Sequence, residues 1–503
     1  MIMGSAATLG IQHVFVLMLE NRSFDHMLGF SGIAGTDAET CQPTQVNGLT
    51  GAESNIFDGQ PYPVTRGADY RMPLDPNHEL PDVVRQLCGP KAVYPQAGQF
   101  PPVDNSGYVF SYAASGGSAA PGEVMKCYTP DQLPVLNALA AEFVLCDNWQ
   151  SSVPGPTWPN RMFVHAASSG GLDHSPTTAE IAEWETLSGF SFPHGDIFDR
   201  LKKSGVTRCL YGGDDFPMVA ALKGISLGDI RHYSQFQSDL AQASYPYAYV
   251  FIEPSYDVLN DYKSGTSQHP LGDVTAGEKL IQETYQAIRN SAVWNNSVLI
   301  VTWDEHGGFF DHAKPPAATP PGDTPPNDQY NTNQFTFAQF GPRVPAVIVS
   351  PLIPKNLVDH RTYDHSSIPK FLESLYGISP LTARDAAAAD IGKLITLTTA
   401  RTDAPATLPA PANSVAPLPS LTAAAAIVTP ATTTRPTETV DQGNLPAVVH
   451  SAMQQDLAAS PASARPAIVS RVRSIRTRAD AANYMAEVQK KVRSVKAATA
   501  GGR

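Results

Sequence analysis

The stretch Ser297–His312, SVLIVTWDEHGGFFDH, decides how the rest of the chain is read. Val298, Leu299, Ile300 and Val301 form a short apolar run rich in β-branched residues, the pattern of a strand buried on both faces of a sheet. Asp304, Glu305 and His306 follow it, then Gly307 and Gly308, where the backbone turns sharply or passes close to another segment. In open α/β sheets, ligands bind in the crevice beyond the carboxyl ends of the strands. Two carboxylates and an imidazole placed there point to a cation, because buried charge without compensation is costly. The plainer alternative is a solvated, acidic strand-to-loop junction.

His13–Leu19 (HVFVLML) is a second buried-strand run, and it ends in Glu20, Asn21, Arg22, Ser23, Phe24, Asp25 and His26. Carboxylate and amide oxygens at two separate strand ends are what a hard-cation site assembled from distant segments needs. The third piece is Ser152–His165, SVPGPTWPNRMFVH. Pro-Gly-Pro forbids a regular element, Pro159 suits a first helical turn, and Asn160–Ala167 can continue as a helix. Thr157 then falls at or just before the helix N-terminus, where unpaired N–H groups and the macrodipole favour an arriving phosphate and an alkoxide nucleophile. A simple N-cap is the other role open to a threonine there.

The motifs ENRSFDH (Glu20–His26), GPTWPNR (Gly155–Arg161), QHP (Gln268–Pro270) and DEHGGFFDH (Asp304–His312) together resemble the bacterial phosphoesterase family. That family includes phosphatidylcholine-type phospholipases C, plant non-specific phospholipases C and a group of acid phosphatases. The resemblance spans roughly residues 11–385 and implies an α/β fold like that of alkaline phosphatase, a mostly parallel sheet with helices on both faces and long active-site loops. It implies one divalent metal, Ca, Mg, Mn or Zn, held by Glu20, Asn21, Asp304, Glu305 and the Thr157 oxygen. Thr157 would be the nucleophile of a phosphothreonine mechanism, with His269, and less strongly His78, as catalytic partners. Asn160, Arg161, His306 and His312 would contact substrate. Threonine at the nucleophile position matches the family's phospholipases C, serine its acid phosphatases. The expected activity is thus hydrolysis of a phospholipid to diacylglycerol and a phosphorylated headgroup. A phosphomonoesterase and an inactive metal- or anion-binding relative are the alternatives. Trp158 stands at the variable position of the TxPNR segment, and QHP lacks the second proline common in relatives.

The remaining sequence frames this centre. A chain of 503 residues accommodates one large α/β domain with additions, and its net charge of −12 argues against a nucleic-acid partner. Five cysteines without CxxC spacing exclude a zinc ribbon and leave one or two disulfides open. The start, MIMGSAATLGIQ, has no positively charged n-region and no separate apolar run, so the chain as written reads as cytoplasmic, although many relatives are exported. Residues 30–125, rich in Gly, Pro, Asn and Asp, read as long loops over the active edge; His78 lies in DPNHE, as a surface or a site residue. Residues 313–335 read as a rim loop, and His365 as a capping or supporting residue at a helix start.

Domain boundaries follow composition. Residues 1–397 read as the catalytic domain and 398–444 as an Ala/Pro/Thr-rich linker. Residues 445–503 read as a basic, helical or partly disordered tail. Arg471, Arg473, Arg476, Arg478, Lys490, Lys491, Arg493 and Lys496 allow at most a peripheral contact with anionic lipid. Within this frame the expected partner is a phospholipid or other phosphate ester.

Overall fold

Ten strands form the central sheet of the computed structural model, which describes residues 9–183, 189–323, 329–413 and 433–500. In chain order they are β1 (His13–Leu19), β2 (Ala34–Asp37), β3 (Pro43–Gln45), β4 (Val144–Cys146), β5 (Arg208–Gly212), β6 (Ile230–His232), β7 (Tyr249–Glu253), β8 (Ser297–Trp303), β9 (Ala346–Val349) and β10 (Leu357–Asp359). Their spatial order is β6-β5-β7-β1-β8-β9-β4-β10-β2-β3. β1 pairs in parallel with β7 on one side and β8 on the other, in the register Val14 beside Tyr249 and Leu19 beside Trp303. β9 runs antiparallel to both β8 and β4, and β3 antiparallel to β2; the other pairings are parallel. Every residue of β8 is buried, which is why its sequence is apolar without alternation.

This order brings the carboxyl ends of β1 and β8 side by side at the centre of the sheet, with β7 and β4 opening toward the same edge. The helix α3 (Val274–Arg289) crosses from the segment after β7 to β8, burying Leu280, Ile281, Thr284, Tyr285 and Ile288. A parallel connection of this kind needs such a crossover element.

Residues 30–125 are mainly loop, as expected, but they have a small core of their own. They hold α1 (Leu80–Cys88), a helix over Tyr108–Ala114 and two short strand pairs, built around their own apolar cluster of Val83, Leu87, Tyr108, Val109, Val124 and Phe309. Val83 and Val84, with Leu80 and Leu87, make a helical stripe that Pro81 disguises, since proline is tolerated in a first turn.

After α4 (Ser367–Tyr376), the tail packs back on the domain: the helices α5 (Leu445–Ala458), α6 (Arg465–Arg473) and α7 (Arg478–Ala500) place Leu445, Val449, Met453, Val472 and Val488 in the same apolar core as the sheet. His450 of α5 stacks on Trp158 at 6.3 Å between ring centroids. Several of the basic residues are engaged by protein: Arg478 pairs with Asp261, Arg493 with Asp215 and Lys491 with Asp456. Of the expected linker, residues 398–413 lie along α3, where Arg289 donates to the Ala404 carbonyl and Gln282 to the Pro409 carbonyl; residues 414–432 lie outside the described residues. The five cysteines are all unpaired. Among the described residues, no helix is long and apolar enough to cross a membrane.

Candidate active site

Beyond β1 the chain leaves the sheet at Glu20 and enters Asn21 with a left-handed backbone, φ +59°. Beyond β8 it leaves at Asp304, and the two segments lock together there. The Asn21 N–H donates to Asp304 Oδ1 at 3.0 Å, the Arg22 N–H to the Glu305 carbonyl at 2.9 Å, and the Glu305 N–H to Asp304 Oδ1 at 2.8 Å. Gly307 and Gly308 make the close approach possible. Both have positive φ, and a Cβ on Gly307 would stand 2.3 Å from the Asn21 carbonyl oxygen, on Gly308 2.8 Å from that of Asn77. The glycine pair therefore lets the β8 loop lie against both Asn21 and the segment that carries His78.

The helix α2 (Thr157–Ala166) supplies the third side. Pro156, not Thr157, occupies its N-cap position, and Thr157 is the first helical residue. The Thr157 hydroxyl is thus free of capping and donates to Glu305 Oε1 at 3.4 Å. Asn160 folds the preceding loop: its Oδ1 accepts from the Val153 N–H, and its Nδ2 donates to the Gly155 and Pro156 carbonyls at 2.9 and 3.0 Å. Arg161 reaches back to the sheet, donating through Nε to Asp304 Oδ2 at 2.9 Å and through Nη2 to the Leu19 carbonyl at 3.0 Å.

A pocket of about 360 Å³ opens above these ends, lined by Asn21, Asp75, His78, Thr157, Tyr262 and His269 among others. His269 Nδ1 accepts from the Leu271 N–H at 3.2 Å, which leaves the proton on Nε2, 3.3 Å from Asp75 Oδ2. Tyr262 lies flat against the His269 ring, with centroids 3.4 Å apart. Gln268 fixes this loop to the sheet, accepting from Trp303 Nε1 at 2.9 Å. His78 donates through Nδ1 to the Pro76 carbonyl at 2.8 Å and holds Nε2 3.8 Å from Glu305 Oε1.

The charges at this edge are strongly perturbed. Burial, then the neighbouring Asp304, push the Glu20 carboxyl well above its ordinary range. Burial also pushes Glu305 up to about 8, against the pull of His78. Burial by itself would favour neutral His78, yet Glu305 and Asp75 raise it to about 9. Burial works the other way on Asp75, and His269 and His78 together outweigh it, holding that carboxyl below the ordinary range. Carboxyls raised by mutual repulsion and burial mark a place where a cation is electrostatically welcome.

Whether a divalent metal fits is answered by the donor atoms. Glu20 Oε1 and Asn21 Oδ1 are buried and, among the described residues, have no hydrogen-bond partner. Buried oxygens left over in this way suit a hard cation. Asp304 is more committed, since Oδ1 takes two backbone N–H groups and Oδ2 takes Arg161. The side chains of Glu20, Asp304 and Glu305 do not form the tightest acidic cluster. Among the described residues, that is Asp25, Asp311 and His312, whose ligand atoms lie within 4.8 Å of one another. There the cation is already present: Arg343 donates to Asp25 Oδ1 at 2.9 Å and to both oxygens of Asp311, while the His312 N–H takes Asp25 Oδ2. We read it as an ion-pair network that anchors the ends of two motifs.

The expected site residues therefore separate. Glu20, Asn21, Thr157, Asp304 and Glu305 converge at one edge, with His78 and His269 over it. Asn160, Arg161, His306 and His312 face protein partners instead. His306 Nε2 meets Gln86 Oε1 at 2.8 Å, and its burial lowers its basicity strongly; His312 belongs to the Arg343 network. His365 supports the site from behind: Nδ1 accepts from Trp149 Nε1, so Nε2 donates to the Asp304 carbonyl at 2.5 Å. Sequence reasoning missed Asp75, Tyr262 and Asn444. The last comes from the segment before α5 and donates to Glu20 Oε2 at 2.9 Å. No local signal distinguishes these three, because they act only through segments brought together by the fold.

A sequence model described as the phosphoesterase family matches residues 11–379. The chain belongs to the phosphoesterase family. It is a hydrolase of phosphate esters. The similar relatives of this phosphoesterase include non-specific phospholipase C6 of Arabidopsis thaliana, 35% identical over 79% of this chain and 75% of that protein. Phospholipase C B of Mycobacterium tuberculosis is 28% identical over 76% of this chain and 77% of its own. Among solved structures, a protein of the alkaline phosphatase superfamily from Vibrio parahaemolyticus aligns over 51% of this chain and 64% of that one, at 14% identity and a TM-score of 0.30.

Proposed function

We propose that this phosphoesterase is a phospholipase C that cleaves phosphate diesters through a covalent intermediate on Thr157. The observation that carries the reading is the Thr157 hydroxyl. It stands uncapped at the start of a ten-residue helix, lines the pocket, and donates toward a buried carboxylate, Glu305. A hydroxyl nucleophile needs a neighbouring base and donors for the charge that develops on phosphorus. Glu305 accepts the Thr157 proton, and the helix N-terminus faces the phosphoryl oxygens.

The Thr157 oxygen then forms its bond to phosphorus as the bond to the diacylglycerol oxygen breaks in line. The departing oxygen takes a proton from His78, which Glu305 and Asp75 hold cationic. Water next attacks phosphorus and gives its proton to His78, while the Thr157 oxygen leaves with the proton held on Glu305; the phosphorylated headgroup is released and all three groups are restored. His269, turned by Asp75, offers its Nε2–H as a hydrogen bond to a phosphoryl oxygen. A divalent cation bound by Glu20, Asn21 and Glu305, with Asp304 behind them, would neutralise phosphate charge and acidify the Thr157 hydroxyl.

Relatives named phospholipase C support a diester substrate, as does the threonine itself. Turnover of p-nitrophenylphosphorylcholine against p-nitrophenyl phosphate tests this. The proposal expects the diester to be the better substrate by kcat/KM and diacylglycerol to be released from phosphatidylcholine vesicles. Preference for the monoester would reassign the chain to the phosphatase branch, and no turnover of either would end the enzymatic reading.

A further inference from the structure

The segment before α5 ends inside the site, and Asn444 is its innermost side chain. Its Nδ2 donates to Glu20 Oε2 at 2.9 Å and its backbone N–H donates to the Tyr262 hydroxyl at 3.1 Å. Asn444 is 5% exposed and Glu20 is fully buried, so water does not substitute for this contact. Glu20 thus has one oxygen engaged and the other, Oε1, without a partner among the described residues. A carboxylate with one oxygen tied by an N–H donor presents the second in a fixed direction, as supporting hydrogen bonds do for metal ligands generally.

We propose that Asn444 is a positioning residue of the cation site, and that the C-terminal segment, 424 residues away in sequence from Glu20, completes the catalytic centre. This rests on the reading of Glu20 as a cation ligand. An amide suits that role because it donates without carrying charge, and so orients the carboxylate without competing for the cation. Among the described residues the side chain acts on Glu20, whereas the main chain holds Tyr262, the ring stacked on His269 at 3.4 Å. The two grips are separable, because a side-chain substitution leaves the backbone N–H in place. Gln442 lies in the same turn but is exposed, with its backbone N–H on the Val440 carbonyl, and supplies a control.

The test uses the full chain, stripped with chelator and titrated calorimetrically with Ca²⁺, Mg²⁺, Mn²⁺ and Zn²⁺ chlorides. The ion that binds wild type tightest is then taken to Glu20→Gln, Asn444→Leu, Asn444→Ala and Gln442→Ala. Melting in chelator reports folding independently of the cation. The proposal expects both Asn444 variants to melt cooperatively and to bind the ion about 10–100-fold more weakly, the range lost when an outer partner of a metal ligand is removed. Gln442→Ala should match wild type. Folded Asn444 variants with wild-type affinity, beside a weakened Glu20→Gln, would overturn the proposal alone. Wild-type affinity in Glu20→Gln would overturn the ligand reading and this inference with it. Failure of both Asn444 variants to fold would assign the residue to stability and also overturn its proposed role.

Discussion

Arg161→Met tests how the strand ends are held. The guanidinium is buried between Asp304 Oδ2 at 2.9 Å and the Leu19 carbonyl at 3.0 Å, and lies 5.3 Å from the centre of the Tyr256 ring. Methionine keeps the stem and removes the charge, leaving Asp304 beside Glu20 and Glu305 with less compensation. Removing one partner of a buried ion pair costs about 3–5 kcal/mol, a large part of a typical total of about 5–15 kcal/mol. At the lower end of roughly 2–4 °C per kcal/mol, the melting temperature should fall by about 6–10 °C. Urea unfolding followed by circular dichroism, with and without chelator, measures the loss. Arg161→Lys should lose less, since it keeps the charge but not the two-pronged geometry. Asp304→Asn in the Arg161→Met background should recover part of the cost, because the stranded charge is then gone. An Arg161→Met protein within about 0.5 kcal/mol of wild type, the range of ordinary surface substitutions, would refute the claim that this pair secures the site.

Three further outcomes follow from named contacts. Glu278 accepts from the Val135 and Leu136 N–H groups, and burial raises its carboxyl from 4.5 to about 8. The native state therefore binds this proton more tightly than the unfolded chain, and its contribution to stability falls as pH rises from about 4.5 to 8. Glu278→Gln should gain on wild type across that window in urea unfolding; parallel pH profiles would contradict it. Gly307→Ala should weaken folding by more than about 1 kcal/mol and disturb Asn21, given its positive φ and the 2.3 Å approach of a Cβ to the Asn21 carbonyl. An alanine variant with wild-type melting and activity would deny that close approach its role. Truncation after residue 413 should lower solubility and melting temperature and abolish activity on a soluble diester, since Trp158 loses His450 and Glu20 loses Asn444. A truncated protein with full activity would make α5–α7 dispensable.

The strands that build the site were legible because burial on both faces leaves a simple trace. β1 and β8 are continuous apolar runs, and their polar ends sit where the sheet geometry requires. Thr157 was legible as a helix start, but whether it capped that helix was not, because the choice between Pro156 and Thr157 depends on backbone angles. Arg343 was invisible. Nothing in GPRVP indicates a guanidinium shared between Asp25 and Asp311, which belong to two other motifs. For the same reason, the contacts that Asn160, Arg161, His306 and His312 make with Pro156, Asp304, Gln86 and Asp25 were not legible in their motifs. The C-terminal helices misled through composition. Their many Lys and Arg residues suggest a solvated face, while the apolar positions between them, Val472, Ile475, Tyr484 and Val488, are buried in the core.

The central claim is that Thr157 attacks phosphorus, and trapping the intermediate tests it most directly. Rapid acid quench of the full enzyme turning over a diester labelled with ³²P should leave label on the protein, and peptide mapping should place it on Thr157. Thr157→Ser should still label and turn over, because it keeps a hydroxyl at the first position of α2. Thr157→Ala should fold with a loss near that of an ordinary polar-to-alanine change, about 1 kcal/mol, take up no label, and lose several orders of magnitude in turnover. Label on another residue, or an alanine variant that turns over at the wild-type rate, would contradict the account.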